Sequence, residues 1–165
     1  MVTRREILLG SAGAAALAAA GVGIVKWQGG EATAKGRFAV TKTPEEWREI
    51  LTPEQYAILR DADTERAWTS PHNKEKREGT FACAGCDLPL FESETKFESG
   101  TGWPSFYEPI EGAIGKETDF SWGMLRDEVH CSRCGGHLGH LFNDGPKPTG
   151  LRYCINGLSL KFIPT

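Results

Sequence analysis

Short apolar runs separated by turn residues dominate the chain from Gly79 onward. The run from Leu158 to Ile163 alternates apolar and polar side chains, which is typical of a strand with one buried face. No comparable helical period follows Gly79, so the pattern predicts an all-β or α+β body. The other candidate strands are Thr80–Ala82, Leu88–Phe91, Phe120–Leu125, Leu138–Phe142 and Leu151–Ile155.

Two short helices are predicted in front of this body. Thr43 can cap the first helix, Pro44 suits its first turn, and Glu46 completes a capping box. The stretch Thr52–Gln55 repeats that signal at once, which predicts a second helix ending near Asp61. The apolar side chains expected on the buried faces are Trp47, Ile50, Leu51, Tyr56 and Leu59.

The first 34 residues have a different pattern. Arg4 and Arg5 precede a stretch without charge from Ile7 to Val25, and Ala32-Thr33-Ala34 offers a small-residue cleavage site. This order is typical of a secretory signal, and the paired arginines resemble a twin-arginine signal. We therefore expect an export signal over 1–34, a mature domain over 35–165 and a periplasmic location. The alternative is an uncleaved membrane anchor, since the apolar stretch just reaches a spanning length.

Composition narrows the possible functions. The 165 residues carry a net charge of −3, which is too acidic for a general nucleic-acid binder. Gly (20) and Pro (9) are frequent, so turns must be numerous. Five cysteines is an odd number, so at least one thiol lies outside any set of internal disulfides.

Four of the cysteines form two Cys-x-x-Cys pairs, Cys83 with Cys86 and Cys131 with Cys134. Two residues between the cysteines of a pair allow both sulfurs to reach one ion from a tight turn, and two such pairs complete a zinc tetrahedron. The pattern therefore favours a structural zinc site that clamps distant parts of the body together. Two alternatives remain, namely redox dithiols without a surrounding βαβ pattern, and two disulfides in an oxidising compartment.

The fifth cysteine, Cys154, stands between Arg152 and Asn156 at alternate positions of a candidate strand. Alternate side chains share one face of a strand, so a cation, a thiol and an amide would lie in a row. We expect the cation to lower the pKa of the thiol and make it nucleophilic. The alternative is a buried core thiol.

Further candidates lie upstream. His137, His140 and Asp144 follow the second cysteine pair and could supply general acids and orienting groups, or could be structural or solvated. Trp103 and Phe106, in a Gly-rich stretch, could wall a small apolar pocket or form a core pair beneath a turn.

Six motifs in this order resemble the B-type methionine sulfoxide reductases, the peptide-methionine (R)-S-oxide reductases. Along the chain they are Cys83-x-x-Cys86, Gly102-Trp103-Pro104-Ser105-Phe106, Cys131-x-x-Cys134, His137-Leu138-Gly139-His140, Asp144-Gly145-Pro146 and Arg152-Tyr153-Cys154-Ile155-Asn156. The similarity runs from about Pro44 to Ile163. It implies a mainly β fold of two antiparallel sheets, with the short helices in front and the four-cysteine zinc site away from the chemistry.

The resemblance also implies roles for single residues. Cys154 is the expected nucleophile, Arg152 and Asn156 favour its thiolate, and Asp144 orients Arg152 or a histidine. Trp103 is expected to hold the sulfoxide methyl group. Phe106 is expected to bind substrate beside it as a wall of the pocket, which rests on the aromatic Gly-rich stretch and not on the resemblance. His137 and His140 handle the oxygen and its proton.

One position departs from the family pattern. Many members carry a resolving cysteine just before the Gly-Trp-Pro-Ser-Phe motif, where this chain has Thr101. We therefore expect a sulfenic acid on Cys154 to be reduced by an external thiol, either thioredoxin-like or small. The expected substrates are oxidised proteins or peptides carrying methionine-R-sulfoxide. We expect a monomer with no nucleic-acid partner and, after cleavage of the signal, no stable membrane insertion.

Other functions remain open from the residues alone. A zinc-ribbon binding module would leave Cys154 inert. A cysteine hydrolase would use Cys154 with His140 and Asp144 and would need no reductant. A disulfide oxidoreductase would use a Cys-x-x-Cys pair instead.

Overall fold

The computed structural model describes residues 38–119 and 126–165. The proposed signal and the candidate strand Phe120–Leu125 lie outside this part of the chain. Among the described residues, no helix is both long and apolar enough to cross a membrane. The helices are α1 (Pro44–Ile50) and α2 (Pro53–Asp61). The strands are β1 (Gly79–Cys83), β2 (Pro89–Glu92), β3 (Lys96–Phe97), β4 (Ser105–Phe106), β5 (Ile114–Asp119), β6 (Arg126–Cys131), β7 (His137–Phe142), β8 (Arg152–Ile155) and β9 (Leu160–Pro164).

Both predicted helices are present with their capping boxes. The Glu46 N–H donates to the Thr43 hydroxyl (3.2 Å), and the Glu46 carboxylate accepts from the Thr43 N–H (2.7 Å). Thr52 and Gln55 repeat this exchange at the start of α2. The expectation for Ile50 was wrong, because its side chain is 53% exposed. A helix of two turns buries only a narrow stripe, and the other residues on the predicted face of α1 occupy it.

The strands form two antiparallel sheets, which confirms the mainly β architecture. The small sheet has the order β2-β1-β9, and the larger one has the order β3-β4-β8-β7-β6-β5. In the larger sheet, β8 lies between β4 and β7, with Cys154 opposite Ser105 on one side and His140 on the other. The cysteine of the candidate strand is therefore held by pairing on both sides.

The core is rich in stacked and edge-on aromatic rings. Phe106 is fully buried, stacks on Phe91 at 4.2 Å between ring centroids, and meets Phe81 edge-on at 5.1 Å. Phe106 therefore packs in the core, in contrast to the expected wall of a substrate pocket. The cause is register, because neighbouring strand residues point to opposite faces and Phe106 is paired with the buried Tyr153.

The last apolar run divides into two elements. Gly157–Ser159 form a 3₁₀ turn, and β9 begins only at Leu160. Ser159 is fully buried, and its hydroxyl is satisfied there because it donates to the Asn156 carbonyl (2.6 Å). The alternation predicted from Leu158 therefore holds only from Leu160 onward.

Candidate active site and metal centre

A small pocket of about 140 Å³ opens beside Cys154. It lies where the loop before β4 approaches the adjacent strands β7 and β8. Its lining combines aromatic, imidazole, amide, cationic and thiol groups. These are Thr64, Trp103, Arg126, Gly139, His140, Phe142, Cys154 and Asn156. Such a mixture of apolar wall and convergent polar groups is typical of a site for a small ligand group.

The thiol of Cys154 is half-buried, and burial raises its pKa above the ordinary value. The positive charge of Arg152 and a hydrogen bond with Thr101 act in the opposite direction, but burial dominates. This differs from the expectation of a lowered pKa, because proximity to a cation does not compensate for the lost hydration. In the free protein the group is therefore a thiol, and it needs a further stabilising contact to ionise near neutral pH.

Arg152 is held in place by Asp144. Its Nε and one terminal nitrogen donate to the two carboxylate oxygens at 2.8 and 2.9 Å, and its guanidinium lies over the ring of Phe142 at 4.2 Å. Arg152 is only 7% exposed. Of the two roles expected for Asp144, the structure shows the contact with Arg152. A bidentate pair of this kind fixes the direction of the cation as well as its charge.

The two histidines lie side by side, with ring centroids 5.5 Å apart. Each ring is held by a carboxylate from another strand of the larger sheet, the adjacent β6 for His137 and the next strand, β5, for His140. His137 Nδ1 lies 2.6 Å from Glu128, and His140 Nε2 lies 3.0 Å from Asp119. The other ring nitrogen of His137, Nε2, is buried without a hydrogen-bond partner among the described residues. His137 is 5% exposed and is not part of the pocket lining, so it lies behind His140.

Sequence reasoning missed Glu128 and Asp119. Glu128 lies on β6 directly opposite His140 on β7, and Asp119 ends β5 opposite Arg126. The hydrogen bond from His137 lowers the pKa of Glu128, so that group is a carboxylate at neutral pH. Burial lowers the pKa of His140, although the contact with Asp119 opposes that effect. The only sequence signal for these two carboxylates is the polar stretch with acidic residues that precedes the second cysteine pair.

Trp103 and Asn156 reach the pocket from different loops but are fixed to one residue. The indole N–H of Trp103 donates to the Glu65 carbonyl (3.1 Å), and the side-chain oxygen of Asn156 accepts from the Glu65 N–H (3.0 Å). The Asn156 amide also donates to the Leu138 carbonyl (3.2 Å). Both side chains that the sequence placed at the site therefore line the pocket, and their direction is set by backbone groups.

The four paired cysteines converge. Their sulfur atoms all lie within 4.8 Å of one another, with 3.7 Å between Cys83 and Cys134 and 3.5 Å between Cys86 and Cys131. These distances exceed a disulfide bond, and all four cysteines are free. A tetrahedron with metal–sulfur bonds of about 2.3 Å has edges of about 3.8 Å, so the donor set fits a thiolate-bound metal such as zinc.

Comparisons with known proteins agree with this geometry. A model of the SelR domain matches residues 51–164. A peptide methionine sulfoxide reductase MsrB of Leptospira interrogans is 58% identical over 126 residues, which cover 76% of this chain and 96% of that protein. The chain belongs to the MsrB family. Pseudomonas putida MsrB is 60% identical over 126 residues (76% of this chain, 95% of that protein), and Agrobacterium fabrum MsrB is 56% identical over 126 residues (76% and 93%).

Membership of the MsrB family makes the chain an oxidoreductase and places the six motifs in one domain. The match confirms the family resemblance drawn from those motifs. The four-cysteine cluster lies at the turns that follow β1 and β6, whereas the pocket lies beside the central strand β8. Cys154 lies within the matched SelR domain and also lines the pocket.

Proposed function

We propose that this MsrB protein reduces the R epimer of methionine sulfoxide in peptides and proteins, with Cys154 as the nucleophile. The observation that carries this proposal is the pocket itself. It brings the Cys154 sulfur beside His140 and Trp103, so a thiol, an imidazole and an apolar surface face one small volume. A sulfoxide has an oxygen, a sulfur and a methyl group that correspond to these three features.

The reaction begins with the Cys154 sulfur attacking the sulfur of the sulfoxide. His140, which lines the pocket, and His137, whose ring lies 5.5 Å from that of His140, would hold the oxygen and protonate it from an imidazolium form, which makes the sulfoxide sulfur electrophilic. The attack joins the Cys154 sulfur to the substrate sulfur. The hydroxyl then passes to the Cys154 sulfur as the S–O and S–S bonds of the substrate sulfur break, so methionine leaves and Cys154 becomes a sulfenic acid. The substrate sulfur gains two electrons and the Cys154 sulfur loses two.

Substrate binding would also supply the stabilising contact that the Cys154 thiol needs to ionise near neutral pH. In the free protein, burial raises the pKa of Cys154. An oxygen that takes a proton from a histidine leaves positive charge on the attacked sulfur, which stabilises the incoming thiolate. Ionisation of Cys154 is thus coupled to occupation of the pocket.

We infer that an external thiol completes the cycle. Thr101 lies where many family members have a second cysteine, and its hydroxyl is 3.9 Å from the Cys154 sulfur. One external thiol would attack the sulfenic acid, releasing water and leaving a mixed disulfide. A second thiol would then free Cys154 and form the disulfide of the reductant.

The four-cysteine cluster would bind one structural zinc ion. The distances between its sulfurs support this assignment, since they match the edges of a zinc tetrahedron. Zinc would join the two turns that carry Cys83 and Cys131 and would not touch substrate. Metal analysis of the purified protein is expected to give about one zinc per chain. Folded, metal-free protein with all four cysteines oxidised would contradict this assignment.

Residues 1–34 would direct the protein to the periplasm. The charge pattern before Ile7 and the small residues Ala32 and Ala34 support this proposal. N-terminal sequencing of the protein from the producing cell is expected to begin at Lys35. A start well before Lys35 would instead favour the membrane anchor.

The decisive experiment is turnover of peptide-bound methionine-R-sulfoxide with dithiothreitol as reductant. We expect wild-type protein to reduce the R epimer and not the S epimer, and Cys154→Ser to abolish turnover. A binding module would show no turnover, and a cysteine hydrolase would not need the reductant. Glu111→Gln, at an exposed position outside the pocket, is the control and is expected to retain most of the activity.

A single turnover without reductant tests the external-thiol step. Mass spectrometry is expected to show one added oxygen on Cys154, trapped by a reagent for sulfenic acids. A disulfide between Cys154 and any of the four clustered cysteines would contradict the step, because it would mean that a metal ligand resolves the sulfenic acid.

A further inference from the structure

Glu65 is a buried carboxylate for which neither the motifs nor the proposed chemistry has a use. It is 7% exposed and is the only buried residue between Ala62 and Thr69. This stretch has neither helix nor strand in the structure, so no regular pattern of hydrogen bonds fixes the backbone of Glu65. A buried carboxylate in such a segment must be matched by hydrogen bonds, since an unsatisfied one would be costly.

The carboxylate of Glu65 is matched by two backbone groups. It accepts from the N–H of Gly157 at 2.6 Å and from the N–H of Leu158 at 3.0 Å, both in the 3₁₀ turn after β8. The approach requires glycine at 157, because a Cβ there would lie 1.8 Å from the Ser70 hydroxyl and 3.2 Å from the carboxylate. Burial raises the pKa of Glu65, and the two N–H groups oppose that shift. The side chain therefore anchors an irregular segment to the end of the catalytic strand.

The backbone of the same residue holds two side chains of the pocket. Its carbonyl accepts from the Trp103 indole (3.1 Å), and its N–H donates to Asn156 (3.0 Å). Trp103 and Asn156 come from loops on different sides of Cys154, and both line its pocket. Because both bonds end on the backbone of position 65, any movement of that backbone changes both walls together.

From these contacts we propose that Glu65 is a positioning residue that sets the separation of Trp103 and Asn156 across the pocket of Cys154. Its carboxylate fixes the backbone, and the backbone directs the two side chains. The proposal deepens the proposed function and rests on it for its kinetic consequences. The residue does not touch the reacting atoms, so its effect is exerted through the shape of the pocket.

The kinetic test is a double-mutant cycle with Trp103→Phe, which keeps an aromatic ring but removes the indole donor. We expect Glu65→Ala to lower kcat/KM about tenfold or more, mainly through a higher KM, because the methyl-binding wall is no longer held. In the Trp103→Phe background, Glu65→Ala is expected to lower kcat/KM by a clearly smaller factor. Glu65→Gln keeps one acceptor and is expected to retain part of the activity.

Leu90→Ala is the matched control for general destabilisation. Leu90 is fully buried on β2, outside the pocket. The effects of Leu90→Ala and Trp103→Phe on the free energy derived from kcat/KM should therefore be additive. An additive cycle for Glu65 as well would overturn the proposal, because a merely structural residue would behave like Leu90. If Glu65→Ala does not fold, the cycle is run with Glu65→Gln.

A second measurement is independent of turnover. The indole N–H resonance of Trp103, assigned by its absence in Trp103→Phe, reports the hydrogen bond to position 65. We expect hydrogen exchange of this group to be about tenfold faster in Glu65→Gln than in wild type, and unchanged in Leu90→Ala. Unchanged exchange in Glu65→Gln would overturn the positioning role. If exchange is faster in Glu65→Gln but the wild-type protein does not reduce methionine sulfoxide, the positioning role stands and only the proposed function is overturned.

Discussion

At the scale of single residues, opposing effects act on the sulfur of Cys154. Burial raises its pKa, while the charge of Arg152 and a contact with Thr101 lower it. The net shift is upward, so the thiolate fraction at neutral pH is small in the free protein and increases as the pH rises. A resting thiol of this kind is protected from oxidation, since the thiolate is the form that reacts.

Alkylation by iodoacetamide measures this shift. We expect the rate at Cys154 in the free protein to increase about tenfold per pH unit from pH 7 to 9, because the raised pKa places most of the titration above this range. Arg152→Gln should slow alkylation at each pH, since it removes the cation that favours the thiolate. Cys154→Ser provides the correction for other thiols, and a plateau below pH 8 would contradict the interpretation.

Replacing the acidic partner of His137 tests its role. In Glu128→Gln the amide can still accept from the ring but no longer stabilises charge on it while the sulfoxide oxygen takes a proton. We expect kcat to fall about tenfold with little change in KM. The exposed Glu111→Gln is the control. A loss confined to KM would place Glu128 in substrate binding instead.

Replacing Thr101 tests the reductive half of the cycle. The Thr101 hydroxyl is 3.9 Å from the Cys154 sulfur, so a thiol at this position lies within a short movement of disulfide contact. We expect Thr101→Cys to form an internal disulfide with Cys154 after one turnover without reductant, seen by mass spectrometry of the unreduced protein. Persistence of the sulfenic acid would show that the loop cannot make this movement.

Residue types and motifs predicted much of the site, but the contacts between residues needed the fold. The sequence indicated Cys154, Arg152 and Trp103 through their spacing and family motifs. Glu65 carries no such signal, because its backbone, which any residue has, makes two of its important contacts. Phe106 shows the opposite case, since a residue within a motif is turned into the core by strand register.

At the scale of elements, the close approach of β7 and β8 sets the geometry of the site. Gly139 on β7 has a positive φ of 156°, and a Cβ there would lie 2.0 Å from the Cys154 carbonyl oxygen. The two strands can therefore approach only because position 139 lacks a side chain. This approach brings His140 opposite Cys154 in the register.

We expect Gly139→Ala to reduce the free energy of unfolding by about 2 kcal/mol or more, because β8 must move away from the added Cβ. Urea denaturation measures the effect. Gly112→Ala is the matched control, since Gly112 also has a positive φ (72°) but no atom lies within 4 Å of the added Cβ. Equal losses in the two variants would show that backbone strain alone, without a clash, accounts for the effect.

The elements that the sequence predicted best are those with local signals. The capping boxes at Thr43 and Thr52 specify both helices without help from the rest of the chain. By contrast, β5 and β6 are rich in charged residues and gave no apolar alternation. Their pairing with each other and with β7 stabilises them, and such long-range pairing is not visible in a local pattern.

At the scale of the whole molecule, the cysteine cluster joins the two sheets. Cys83 ends β1 of the small sheet, and Cys131 ends β6 of the larger one. Tertiary packing determines that these two turns meet, although the spacing within each pair was readable from the sequence. A bound metal would therefore cross-link two sheets that the sequence keeps far apart.

Removal of the metal tests this cross-link. We expect chelation to lower Tm by about 10 °C or more, because metal binding contributes directly to folding. Cys131→Ser should have a similar effect and should be insensitive to the chelator. Cys154→Ser, which leaves the cluster intact, is the control and should retain full chelator sensitivity. An unchanged Tm after complete metal loss would show that packing alone holds the sheets together.

The order of strands also has a consequence for synthesis on the ribosome. The last two described strands, β8 and β9, occupy different sheets, with β8 inserted between β4 and β7 and β9 paired with β1. Neither sheet can be completed while these two strands are still inside the exit tunnel. Cys154 therefore acquires its surroundings only after β8 has emerged, and a nascent polypeptide truncated before β8 would leave β4 and β7 without the strand that joins them.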